Sequence, residues 1–281
     1  MPRRIAVAAI AIPLTIGMVY LGGWVLVGGL VILGAAGTRE FFGLARKAGV
    51  HPFVIPGYLG AILLPVTAYL MTLDMGLRPI WVLFGGTLWL ITTMVYAVGS
   101  ARPADQPVLA LGATMFGPCY TAGLLAFLVM VRHGGEGWSP WVATALVFLP
   151  LVTTWMCDTL AMAGGVMFGG PKLAPVISPH KTWSGAVAGL VGAGLVAVLY
   201  GVLILDGVGV SLHVWQLVII GLVVGVVGQV GDLAESLLKR SVGVKDSGAF
   251  FPGHGGVLDR LDSLYWVIPV SALCFYAFGV L

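Results

Sequence analysis

The chain has 281 residues, 59% hydrophobic and only 9% charged, with a mean hydropathy of +1.04; a soluble domain carries about 25% charged residues, so a water-soluble globule is excluded. The 42 glycines lie inside apolar runs without a G-X-Y period, which removes collagen-like and disordered classes and suits close approach of membrane helices. A net charge of +3 from 14 basic and 11 acidic side chains is too thin a field for a nucleic-acid partner, and Cys119, Cys157 and Cys274 stand apart, without the C-x-x-C spacing of a redox or zinc site.

A bilayer core takes about 20 apolar residues per helix. In chain order the uncharged runs are 5–37, 53–73, 79–99, 107–131, 138–157, 183–205, 212–230 and 264–281. The first is too long for one span and holds Gly22-Gly23 near its middle, where two short helices can turn back on each other. Arg3 and Arg4 precede it as in a signal peptide, but similar apolar stretches recur to Leu281 and no convincing A-x-A cleavage site follows, so the run reads as a retained span. Nine spans are therefore expected in an all-α, polytopic membrane protein. Six of them fall in residues 1–157, and residues 158–281 form the region expected to carry the chemistry.

Cytoplasmic loops carry the excess of Lys and Arg. With the N-terminus inside, nine spans put Arg3, Arg4, Arg39, Arg46, Lys47, Arg102, Lys172, Lys181, Lys239, Arg240, Lys245 and Arg260 on the cytoplasmic face and leave only Arg78 and Arg132 outside. A single first span gives a less asymmetric split. The expected arrangement is a cytoplasmic N-terminus, an external C-terminus and a polar cavity open to the cytoplasm.

The two longest polar interruptions, 158–182 and 231–263, hold most of the ionisable groups. The first reads as a short helix from Asp158, then a Gly, Pro and Lys-rich loop ending in Ser178-Pro179-His180-Lys181-Thr182-Trp183-Ser184-Gly185. The second continues helically from the preceding span, with Asp232, Glu235 and Ser236 at i, i+3 and i+4 on one face and Lys239 and Arg240 one turn later. Lys245-Asp246 then leads into Gly248, Pro252-Gly253-His254-Gly255-Gly256, where several glycines and a proline prevent a helix and leave backbone N–H groups able to cradle phosphate. Asp259 and Asp262 open the last membrane helix. One cap explains one of these acids; four or five carboxylates beside Lys239, Arg240, Lys245 and Arg260 suit a magnesium and polyphosphate site.

The pattern from Ser236 to Asp262, Ser-x-x-Lys-Arg-x-x-x-x-Lys-Asp-x-Gly-x-x-x-Pro-Gly-His-Gly-Gly-x-x-Asp-Arg-x-Asp, closely resembles the C-terminal signature of the phosphatidate cytidylyltransferases, the CDP-diacylglycerol synthases. The Ser178 to Gly185 block is similar to that family's S-P-x-K-T-x-E-G motif, with Ser184 where Glu is usual, and Met162 replaces an aromatic residue in the D-x-x-A-Y pattern that begins at Asp158. The resemblance implies transfer of CMP from CTP to phosphatidate with release of pyrophosphate. It implies Asp232 and Asp259 as first-choice ligands of Mg2+ and of a second cation, K+ being the candidate, and Asp246 and Asp262 as further metal candidates. Lys239, Arg240 and Arg260 are then expected to meet phosphates. Ser178, Lys181, Thr182, Ser236, Lys245, His254, Gly255 and Gly256 are expected to line the substrate site. A phosphate monoester is largely ionised at pH 7, so His254 suits a phosphate donor or loop-ordering role better than that of a base. The same resemblance implies a homodimer in the bacterial inner membrane. Two other readings compete: a transporter or channel with an acidic ion site, disfavoured because the acids crowd at one face, and a CTP-dependent kinase or cytidylyltransferase acting on another lipid.

Overall fold

A computed structural model describes residues 2–73, 79–135, 137–250 and 255–281. Helices α1 (Pro2–Leu21) and α2 (Gly23–Lys47) divide the first apolar run. The break falls at Gly22 and Gly23, whose φ angles of 61° and 49° lie in the region that glycine enters without steric cost. Helix α2 continues beyond the apolar run to Lys47 and so carries Arg39 and Glu40 as part of the helix. Next come α3 (Val54–Thr72), α4 (Pro79–Ser100) and α5 (Pro107–His133), the last with a π-turn over Cys119–Gly123 directly after Pro118. A helix-internal proline removes a hydrogen bond and forces such a local adjustment.

Helix α6 (Pro140–Phe168) starts with Ser139 accepting a hydrogen bond from the Val142 amide and with Pro140 in the first turn, a favourable entry for both residues. It does not stop at Cys157. Asp158 sits inside it, and the expected short separate helix from Asp158 is the last third of one long helix, because no Gly or Pro intervenes before Gly164. The expected division at 157/158 thus falls within α6. Gly169 and Gly170, both at positive φ, end the helix. The following segment, read from sequence as loop, forms an antiparallel hairpin of β1 (Lys172–Ala174) and β2 (Ser178–Thr182) in which Lys172 faces Thr182. Helix α7 (Trp183–Tyr200) follows at once, capped by Thr182, and passes through a π-turn over Gly201–Leu205. Helix α8 (Val214–Ser241) runs unbroken through Asp232 to Arg240 as its sequence requires, and α9 (Leu258–Ala277) begins at the residue before Asp259.

Among the described residues, seven of these nine helices are long and apolar enough to cross a membrane. Of the other two, α9 bears Asp259, Arg260 and Asp262 near its start, and the apolar part described for α1 is Ala11–Leu21. The fold is polytopic and all-α apart from the hairpin. Large apolar side chains point outward, among them Trp81, Leu83, Leu88 and Val98 on α4, the arrangement a hydrocarbon solvent favours.

The chain divides into two compact units, residues 1–130 with 241–260, and residues 131–240 with 261–281. In the first, Leu26, Leu30, Phe42 and Ala61 are buried, the Thr38 and Thr121 hydroxyls pair at 2.8 Å, and Trp89 Nε1 donates to the Pro56 carbonyl at 2.9 Å. In the second, Leu146, Leu149, Leu217, Ile220 and Tyr265 are buried. Helices α7 and α8 approach so closely that a Cβ on Gly221 would lie 2.5 Å from the Ala193 carbonyl oxygen, the small-residue packing that membrane helices use.

Candidate active site

In the second unit the polar groups collect where apolar helices end. Past Gly231, helix α8 presents Asp232, Glu235, Ser236 and Lys239 at intervals of three and four, so they share a face. Asp232 Oδ2 lies 2.7 Å from Lys181 Nζ, and the two side chains are only partly exposed, at 29% and 27%. Asp232 Oδ1 accepts from Ser236 Oγ at 3.3 Å. Lys181 is delivered by β2, whose end is fixed because Thr182 Oγ1 accepts the Gly185 amide at the start of α7. Ser184, the departure from the motif, donates to the Gly169 carbonyl and so ties the base of the hairpin to α7.

The Lys181–Asp232 pair opens on a cavity of about 620 Å3, also lined by Asp158, Lys172, His180, Thr182 and Gln229. Its volume is in the range of small-molecule sites, and its wall draws on both polar segments of the sequence. Asp158 lies in the field of Asp232 and Lys181. Asp262 lies in the fields of Asp232, Asp158 and Lys239. Lys239 is itself matched to Glu235 at 2.5 Å, with side chains 11% and 1% exposed, a desolvated pair that is costly to break from one side. Arg240 donates from Nε to the Ile177 carbonyl at 3.4 Å, joining α8 to the turn of the hairpin. Ser178 opens β2 opposite Ala174.

Asp158, Asp232 and Asp262 bring three carboxylates into one another's fields, beside Lys181 and Lys239. Among the described residues no three His, Cys, Asp or Glu side chains gather into a complete metal cage. Magnesium is commonly held by one or two carboxylates and completed by substrate phosphates and water rather than by a protein cage, and the oxygen donors of Asp232 and Asp262 fit that mode.

In the first unit the glycine-rich segment is folded back on the start of α9. Asp259 Oδ2 accepts from the Gly256 amide at 2.7 Å, the Ser247 amide at 2.9 Å and Ser247 Oγ at 2.9 Å. Gly255 has φ of 82°, and a Cβ there would stand 2.8 Å from Asp259 Oδ2, so glycine is required twice over. Lys245, Asp246 and Arg260 are exposed. His254 lies outside the described residues.

Sequence reasoning missed Glu40. It is buried on α2, 9% exposed, and accepts from the amides of Val257 at 3.0 Å and Leu258 at 2.9 Å and from Ser247 Oγ at 3.0 Å. The signal was the helical period: Gly37, Glu40, Phe41 and Leu44 fall on one buried face of α2, and an acid on such a face needs donors. Reading 38–52 as connection hid it.

The helices and the ionisable groups at their ends define an integral membrane protein with a polar site suited to phosphates and a hard cation. A model of the cytidylyltransferase family matches residues 2–278, and the chain belongs to that family, which makes it a nucleotidyltransferase. The chain is 34% identical over 99% of its length to a phosphatidate cytidylyltransferase of Brucella abortus, covering 93% of that protein. It is 33% identical over 93% of its length to phosphatidate cytidylyltransferase 4, chloroplastic, of Arabidopsis thaliana, covering 70% of it. Over 52% of its length it is 44% identical to a phosphatidate cytidylyltransferase of Rickettsia felis, covering 62% of that protein.

Proposed function

We propose that this membrane protein transfers CMP from CTP to phosphatidate, giving CDP-diacylglycerol and pyrophosphate. The observation that carries the reading is the Lys181–Asp232 pair on the wall of a polar cavity at the end of apolar helices, in a chain whose relatives bear the names above. Phosphatidate keeps its acyl chains in the bilayer and its phosphate at the interface, so it can meet water-soluble CTP only near the helix ends.

The phosphatidate phosphate oxygen forms a bond to the α-phosphorus of CTP as the bond from that phosphorus to the bridging oxygen breaks. The pyrophosphate leaves with that electron pair. The attacking monoester is largely ionised at neutral pH, so no side chain need remove a proton. What the residues supply is alignment and charge. Lys181, on its strand, and Lys172 offer cations to phosphate oxygens inside the cavity, and the glycine-rich loop offers backbone amides. In the second unit Asp232 and Asp262 would hold Mg2+; in the first unit Asp259 and Asp246 are the remaining candidates for a cation, with K+ as the second ion. Such ions, when bound, neutralise charge on non-bridging and leaving oxygens.

The purified protein, given CTP labelled in the cytosine ring, phosphatidate and Mg2+, should form labelled CDP-diacylglycerol and pyrophosphate in equal amounts. Release of CDP with a newly phosphorylated lipid would overturn the reading in favour of a CTP-dependent lipid kinase. The orientation is part of the proposal: the basic side chains concentrate on the cytoplasmic face of a nine-span arrangement, in a bacterial inner membrane, with a homodimer as the assembly. A reporter fused after Leu281 should be active only outside the cytoplasm. A cytoplasmic C-terminus would overturn the nine-span topology.

A further inference from the structure

Gly248 and Gly256 have a neighbour that phosphate binding does not explain. A Cβ on Gly256 would lie 2.2 Å from Glu40 Oε2, and one on Gly248 would lie 2.5 Å from Glu40 Oε1. Both are distances that real Cβ atoms do not adopt, so these two glycines leave room for a carboxylate arriving from helix α2. That carboxylate joins the two ends of the glycine-rich segment. Oε1 takes the Val257 amide, and Oε2 takes the Leu258 amide and Ser247 Oγ. Val257 and Leu258 are the residues at which α9 begins, so their amides are among those without a partner inside the helix, and a negative charge there is favoured by the helix dipole. Among the described residues Glu40 has no cationic partner; its buried charge rests on these three donors.

The loop is thus pinned from two sides by two carboxylates that meet at one hydroxyl. Ser247 Oγ is 3.0 Å from Glu40 Oε2 and 2.9 Å from Asp259 Oδ2, and with a single hydrogen it can donate to only one of them at a time. Whichever carboxylate loses that proton keeps its backbone amides. Glu40 therefore fixes the backbone at Val257 and Leu258 and the side chain of Ser247.

We infer that Glu40 is a positioning residue for CTP: it holds Ser247 and the start of α9, the two ends of the glycine-rich segment, in place for the triphosphate. This rests on the reaction proposed above, and Glu40 itself touches neither substrate. A glutamine here keeps the size of the side chain but replaces one acceptor oxygen by an NH2 group facing donors. An aspartate keeps both oxygens and the charge on a shorter stem.

The test uses the full chain in lipid nanodiscs. Hydrogen bonds to a charged group are stronger than those to a neutral amide, so Glu40→Gln should raise KM for CTP about tenfold or more, with kcat within about threefold and KM for phosphatidate unchanged. Glu40→Asp should recover most of the CTP affinity, a rescue that volume alone does not predict. Ser247→Ala, which removes one of the three donors, should raise KM for CTP about threefold and carries the test should Glu40→Gln fail to fold. Amide exchange at Val257 and Leu258 is read in the same samples without substrate and should be faster in Glu40→Gln. Equal CTP affinity in wild type, Glu40→Gln and Ser247→Ala overturns the inference while leaving the reaction standing. A wild type that makes no CDP-lipid overturns the reaction. In that case unchanged exchange at Val257 and Leu258 in Glu40→Gln overturns the clamp as well, and faster exchange upholds its structural half.

Discussion

Asp232→Asn should lower kcat for CDP-lipid formation by at least about 10³-fold, a barrier increase of about 4 kcal/mol, while the protein still inserts and folds. The substitution is isosteric. Asparagine can still accept from Ser236 Oγ, now 3.3 Å from Oδ1, and the polar end of α8 remains hydrated, so structure has little reason to change. Charge has every reason. The carboxylate neutralises Lys181 at 2.7 Å and shares its surroundings with Asp158 and Asp262. A neutral amide there leaves Lys181 unmatched and removes a hard oxygen ligand that Mg2+ prefers. Steady-state kinetics across a Mg2+ titration give the measurement, with circular dichroism and detergent-phase chromatography as folding controls. Turnover within tenfold of wild type at ordinary Mg2+ would reduce Asp232 to the partner of Lys181 and remove it from the metal set.

The helices were legible because hydrocarbon imposes a simple demand: every backbone polar group satisfied within the segment and apolar side chains outside. Gly22-Gly23 split the first run as its backbone chemistry requires, and α8 ran through Asp232 to Arg240 because nothing in that stretch interrupts a helix. Charge was a poorer guide to helix ends. Asp158 and Arg39 were read as marking the water boundary, yet α6 and α2 carry them inside continuous helix, since a charged residue stops the membrane and not the hydrogen-bond ladder. The hairpin was hidden for another reason. Its strands are three and five residues long, too short for a period-two pattern, and the register is set by the paired glycines and by the Thr182 cap.

The site was legible in part. Spacing on α8 put Asp232 and Ser236 on one face, and they are hydrogen-bonded. No local rule states that Lys181 meets Asp232, since the pair joins a strand to a helix 51 positions later in the sequence; here the motif resemblance directed attention to both partners. Glu40 belongs to neither motif. It is separated by more than 200 residues from the amides it binds, and pairings of that range follow from packing rather than pattern. The glycines were assigned to phosphate on their backbone alone, whereas Gly248 and Gly256 also answer to a side chain from the first half of the chain.

Asp259→Asn is the second substitution with a large expected effect, and its result separates two duties of one carboxylate. Oδ2 is saturated by the Gly256 amide, the Ser247 amide and Ser247 Oγ, while the described contact of Oδ1 is a longer one to the Ser247 amide at 3.2 Å. Oδ2 thus orders the segment, and the proposed metal role falls to Oδ1. Asparagine cannot serve both. If its carbonyl takes the place of Oδ2, the NH2 group stands where a cation would bind; if the NH2 group takes that place, it faces two amide donors and the loop opens. Each arrangement costs activity, and kcat should fall at least about 10²-fold, or 2.7 kcal/mol. The loop needs only the neutral acceptor, as helix caps tolerate asparagine nearly as well as aspartate, so the first arrangement should prevail. The half-saturating Mg2+ concentration should then rise about tenfold with amide exchange at Ser247 and Gly256 unchanged. A raised KM for CTP at unaltered Mg2+ dependence, with faster exchange at those amides, would assign Asp259 to the loop alone and leave the metal to Asp232 and Asp262.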